Sequence, residues 1–196
     1  MSNYFLNELG IICSMGADKD QVAKNLFSAT MPETLTLSTQ YSNGRPCFIG
    51  SVNSVLPDLS HFEKKWHGRN NQLIAVAAAQ IKPAVDALIE RHGAHRIAVV
   101  LGTSTSGVGE SEQAHAHKLV HSEWPAEFHY VQQETGTPAL FLSELLDITG
   151  PSHVISTACS SSAKAMASGA RLLNAGIADA VIVGGVDSLC AFTLAG

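Results

Sequence analysis

This chain is short of charge. Only 15% of its 196 residues are Asp, Glu, Lys or Arg, while 45% are apolar. Soluble domains usually carry about a quarter charged residues, so much of this surface is expected to be covered by something other than water. The net charge is −5, which argues against broad nucleic-acid binding. No C-x-x-C pair occurs. Cys13, Cys47, Cys159 and Cys190 are scattered and read as reduced thiols of a cytoplasmic protein, not as a disulfide frame. The segment Met1 to Gly16 has neither a basic start nor a long apolar run, so it does not read as a signal peptide. No stretch reaches membrane-spanning length without a charge or a breaker, and no membrane partner is expected. Internal repeats and low-complexity linkers are also missing. The length suits one domain, 1–196, with a real core.

What is present is an alternation of strands and helices. Tyr4 to Cys13 is apolar with few polar breaks and reads as a first strand. Asp18 to Ser28 has helical spacing with Asp18 as its cap. The stretch 30–59 is irregular, with β-rich fragments such as Cys47-Phe48-Ile49. Asn70 to His92 is a long helical pattern that Pro83 should kink or split. Arg96 to Leu101 reads as a buried strand, Ala180 to Val183 as a strand, and Ser111 to His121 and Thr137 to Leu146 as helices. The pattern predicts an α/β fold with a mostly parallel, buried sheet.

Cys159 is the most informative residue. A short β-branched run, His153 to Thr157, stops just before it, and an Ala-rich helical pattern, Ser160 to Ala175, starts just after. A cysteine at such a junction faces free N–H groups and the positive end of a helix, and a helix start favours the reactive thiolate. The following helix is small on almost every face and is expected to be central. An inert buried core cysteine is the bland alternative, since free cysteines are commonly buried. Cys13, Cys47 and Cys190 lack this setting and are assigned to packing.

The blocks "GPSHVISTACSSSAKAMASGARLLNAGIADAVIVGGVDSL", "LNELGIICSMGADKDQVAKNLFSA" and "IAVVLGTSTSGVGE" resemble, in order, the nucleophile region, the opening strand–loop–helix and the second strand with its glycine-rich loop of the β-ketoacyl-acyl carrier protein synthases. These are condensing enzymes of the thiolase fold, and the wording is most similar to synthases of bacterial aryl-polyene clusters. The resemblance spans nearly the whole chain, most weakly over 30–60 and 110–132, and corresponds to the first half of that fold. It implies that Cys159 accepts an acyl group from a carrier-protein thioester. A malonyl-carrier thioester then loses CO2, and its carbanion attacks the acyl-enzyme. The Cys159 N–H would contribute to an oxyanion hole, worth about 3 kcal/mol per donor. No cofactor or metal is implied. The implied partners are acyl- and malonyl-loaded carrier protein, and a second subunit, either the same chain or a chain-length factor, joined through the strand at 152–157.

The family's two histidines and lysine for decarboxylation follow its first half and have no counterpart here. The 196-residue chain alone is therefore expected not to condense anything, and to be poorly soluble. Rival readings are a thiolase-type acyltransferase on coenzyme A esters and a non-catalytic chain-length-factor-like subunit. Such subunits usually lack the cysteine. An α/β-hydrolase elbow needs glycines where Thr157 and Ser161 stand.

Three further features were weighed. The loop Gly102 to Gly109 lacks the G-K-[ST] ending of a phosphate-binding P-loop. The resemblance places Gly107 and Val108 beside the acyl pocket, and an ordinary flexible turn is the equal alternative. Lys64, Lys65 and Arg69 are candidates for docking an acidic carrier protein, against the commoner reading of a solvated face. His115, His117 and His121 lack an acidic or cysteine partner for a metal and read as a solvated run.

Overall fold

The computed structural model describes residues 4–30, 34–40, 42 and 44–195. Its centre is β3 (Ile97–Gly102), buried at every position. β3 pairs in parallel with β4 (Ser152–Ile155) on one side and β5 (Ala180–Gly185) on the other. Side chains of a strand alternate between faces. Ile97, Val99 and Leu101 join Ile74, Ala78, Val85, Phe141 and Leu142 in the main core. These come from α2 (Arg69–His92) and α4 (Thr137–Leu145). The opposite face receives α5 (Ser161–Asn174), whose Gly169 lies so close to Val181 and Val183 that a Cβ there would meet them at 3.2 and 2.6 Å.

α2 runs unbroken through Pro83. Leu73, Ile74, Ala78 and Val85 form its buried stripe. Among the described residues it is the one helix whose length and mean hydropathy of 1.4 would suffice to cross a bilayer, although the sequence reading found no such stretch. It packs on α4 and β3 and carries Lys82 and Asp86 as an exposed ion pair. Gly68 offers α2 no side-chain cap, and Glu110 Oε1 accepts the Arg69 N–H instead at 2.6 Å. Asp18 caps α1 (Lys19–Leu26) as expected, accepting the Gln21 N–H at 2.8 Å. Antiparallel β1 (Leu35–Ser38) and β2 (Cys47–Gly50) form a separate hairpin within the irregular stretch. α3 (Val108–His121) starts three residues earlier than its apolar pattern suggested, and α6 (Ala191–Ala195) is a short closing turn.

The expected first strand is absent: residues 4–12 make no ladder. A strand needs a neighbour's N–H and C=O groups, and here a side chain supplies them. Gln80 on α2 donates to the Ile11 carbonyl at 2.9 Å and accepts the Ile11 N–H at 3.2 Å. Phe5 and Leu6 stay exposed, as do Leu37 and Phe48 on the hairpin. Among the described residues β4 and β5 each have one free edge. The chain exposes 11630 Å², against about 8,900 Å² for a compact monomer of its mass.

Candidate active site

The three parallel strands end on one side of the molecule, where α/β proteins bind ligands. β4 leads through Ser156, Thr157, Ala158 and Cys159 into α5. Ala158 makes the turn with φ at +52°, a conformation that costs a non-glycine residue about 1–3 kcal/mol. Its neighbours hold it there. Ser161 Oγ donates to the Ala158 carbonyl at 2.7 Å and accepts the Thr157 N–H at 2.9 Å, and Ser160 Oγ donates to the Thr157 carbonyl at 2.9 Å. The serines after the cysteine are thus fasteners of the turn. Cys159 stands one residue before the helix N-cap, Ser160. Of the four cysteines it alone is exposed; Cys190 is buried, and Cys13 and Cys47 are half-buried. The Cys159 N–H donates to no acceptor among the described residues. An exposed sulfur beside a free backbone donor can attack a carbonyl carbon and steady the oxygen that becomes negative.

The first turn of α5 rests on the ends of β3 and β5. A Cβ on Gly102 would lie 2.5 Å from the Ser161 carbonyl carbon and the Ser162 nitrogen. Only glycine permits that approach. The loop after β3 is tied back to the strand before the cysteine by Thr103 N–H donating to the Ile155 carbonyl at 3.2 Å. Its amides are already occupied. Thr103 Oγ1 accepts the Thr105 and Ser106 N–H groups, and Asp187 accepts those of Ser104 and Thr105. A carboxylate therefore sits on the N–H groups that a phosphate would need, which removes the phosphate-cradle reading.

The other sequence candidates have contacts of their own. Gly107 packs on the Gln132 carbonyl, which a Cβ would meet at 2.0 Å, and half-buried Val108 begins α3. Lys64 Nζ donates to the Ala126 carbonyl, Lys65 pairs with Glu63 and lies over Trp66, and Arg69 donates to the Val52 carbonyl. All three are already engaged, Lys64 and Arg69 as exposed groups and Lys65 as a half-buried one. Arg69 also lines a groove of about 620 Å³ with Glu110, His117 and Phe128, and Cys159 is not among its walls. The His117 and His121 rings lie 4.3 Å apart, and His115 turns to Trp124. Sequence reasoning passed over Asp187, Ser161 and Gly102. No local pattern marked the first, whose donors lie more than eighty residues upstream.

Comparison with known proteins agrees with this arrangement. Nodulation protein E of Rhizobium meliloti (strain 1021) is 25% identical over 183 residues, which cover 92% of this chain and 45% of that one. The ketosynthase ApeO, solved in complex with its chain length factor ApeC from Xenorhabdus doucetiae, is 39% identical with a TM-score of 0.89, over 96% of this chain and 48% of that one. A beta-ketoacyl synthase from Burkholderia phymatum STM815 shares the fold, with a TM-score of 0.73 at 19% identity, over 95% and 47% of the two chains. The chain thus spans about half the length of the relatives it matches. The parallel sheet and the turn that carries Cys159 lie within residues 74–195, which match the beta-ketoacyl synthase N-terminal domain, and the chain belongs to that family.

Proposed function

We propose that Cys159 is the acyl acceptor of a decarboxylating condensing enzyme of polyketide-like or fatty-acid-like chain extension, of the aryl-polyene type. Its sulfur attacks the carrier-protein thioester. A bond forms from Cys159 Sγ to the acyl carbon, the bond to the carrier sulfur breaks, and the carrier leaves as a thiol. A malonyl-carrier thioester then loses CO2, its carbanion takes the acyl group, and Cys159 is released. Groups beyond this chain drive the decarboxylation, so the 196 residues alone transfer an acyl group without condensing it. The observation that carries this reading is the exposure of Cys159, alone of the four cysteines, one residue ahead of the N-cap of α5.

The supporting features are coarser. The free edge of β4 suits pairing with a second subunit, either a like chain or a chain-length factor. Lys64, Lys65 and Arg69 would steer the acidic carrier, and Gly107 and Val108 would border the acyl pocket. Mass spectrometry of the full-length protein after incubation with an acyl-carrier thioester tests the reading. One acyl group on Cys159, absent in Cys159→Ala, is expected; acylation elsewhere or none overturns it. Turnover of both carrier thioesters by the 196-residue chain would overturn the division of labour.

A further inference from the structure

We propose that Asp187 is a positioning residue for Cys159, an inference that rests on the acyl-acceptor reading above. Its Oδ1 gathers four donors: Thr103 Oγ1 at 3.1 Å, Ser104 N at 2.7 Å, Thr105 N at 3.0 Å and Thr105 Oγ1 at 3.0 Å. Hydrogen bonds to a charged acceptor are roughly twice as strong as neutral ones. Thr103 and Thr105 are fully buried, so no water competes for their hydroxyls. Thr105 Oγ1 also accepts the Ser188 N–H at 3.1 Å and Asn70 Nδ2 at 3.3 Å. Asp187 thus locks the loop after β3 to the loop after β5. That locked loop reaches the cysteine turn by two routes. Thr103 N–H holds the Ile155 carbonyl, four residues before Cys159, and Gly102 underlies Ser161 and Ser162. If the loop shifts, the platform under the first turn of α5 shifts with it, and so does the sulfur.

The role predicts loss of rate rather than loss of carrier binding. In the full-length protein, Asp187→Leu, Asp187→Asn and Thr105→Val are compared by single-turnover acylation from an acyl-carrier thioester and by iodoacetamide alkylation of Cys159. Asp187→Leu should keep a stoichiometric acylation amplitude and an unchanged half-saturating carrier concentration. Its acylation and alkylation rate constants should fall about tenfold, as small misplacements at a reacting centre do. Asp187→Asn keeps an acceptor oxygen and should return within about threefold of the parent. A merely structural role would lower the amplitude and leave the rate constant of the surviving sites unchanged, which overturns the proposal. Parent rates in Asp187→Leu overturn it too. If Asp187→Leu does not fold, Thr105→Val decides: a slower rate at full amplitude supports the proposal, and a parent rate overturns it. Should the parent protein take no acyl group at all, the acyl-acceptor reading fails, while the alkylation rates still judge Asp187.

Discussion

The two ends of the parallel sheet are fastened by different chemistry. At the end where β3 and β5 begin, Arg96 bridges to Asp179 through two hydrogen bonds, and it also holds the Gly176 and Ile177 carbonyls. That clamp is exposed. At the end where the strands finish, the fasteners are buried hydroxyls, glycines and one exposed carboxylate, and among the described residues no cation faces Asp187 in an ion pair. Water and salt weaken an exposed ion pair, whereas buried threonine hydroxyls keep their bonds to a single geometry even though the carboxylate they meet is exposed. The first end only has to stay closed. On the proposed acyl-acceptor reading, the second also has to hold a sulfur in place.

A pair of glycine replacements can break this comparison. Gly102→Ala puts a methyl group 2.5 Å from the backbone of the first turn of α5; Gly150→Ala puts one 2.1 Å from the Ile97 carbonyl at the opposite end. Both should destabilise by about 1–3 kcal/mol. Only Gly102→Ala should also slow acylation of each folded molecule, by about tenfold or more. Equal slowing in both variants would mean that the two ends are not separable. Val108→Phe should shorten the acyl chain accepted by the full-length protein, by a few carbons, with the acylation rate for short chains kept; an unchanged product profile removes Val108 from the pocket. A smaller effect is expected at the half-buried Lys65. Lys65→Glu should raise the KM for carrier protein a few-fold and leave Cys159 alkylation unaltered, while equal losses in both would mark misfolding rather than docking.

The β3–β4–β5 frame was legible because its parallel strands are short apolar runs between helical patterns, and each run was found to within two residues, although only β3 is buried and β4 and β5 are at most half-buried. Cys159 was legible for the same reason, since it marks the seam where one periodicity gives way to the other. What failed was whatever depends on partners distant in the chain. Tyr4 to Cys13 has the composition of a strand, yet Gln80, some seventy residues on, takes the hydrogen bonds of Ile11. Asp187 carries no local pattern at all. Its meaning lies in donors eighty residues upstream, and only the sheet brings them together.

The exposed end permits the mildest test. The Arg96 guanidinium bonded to Asp179 holds that carboxyl below its ordinary value of 3.8, with His92 and His95 adding lesser attraction. The folded state therefore binds fewer protons than the unfolded chain in acid. The stabilisation is present above the ordinary carboxylate range and is lost as pH falls through the lowered value. Asp179→Asn should accordingly be slightly less stable than the parent near neutral pH, with the gap closing as pH falls below the ordinary carboxylate range. Added salt should narrow the gap without erasing it, because screening weakens the charges and leaves the hydrogen bonds. Urea midpoints measured across this range decide the matter. Acylation of Cys159 at neutral pH should not change, since the clamp sits at the far end of the sheet. A gap that persists unchanged in strong acid would show that Asp179 acts through shape rather than charge, and the contrast between the two ends would lose its electrostatic half.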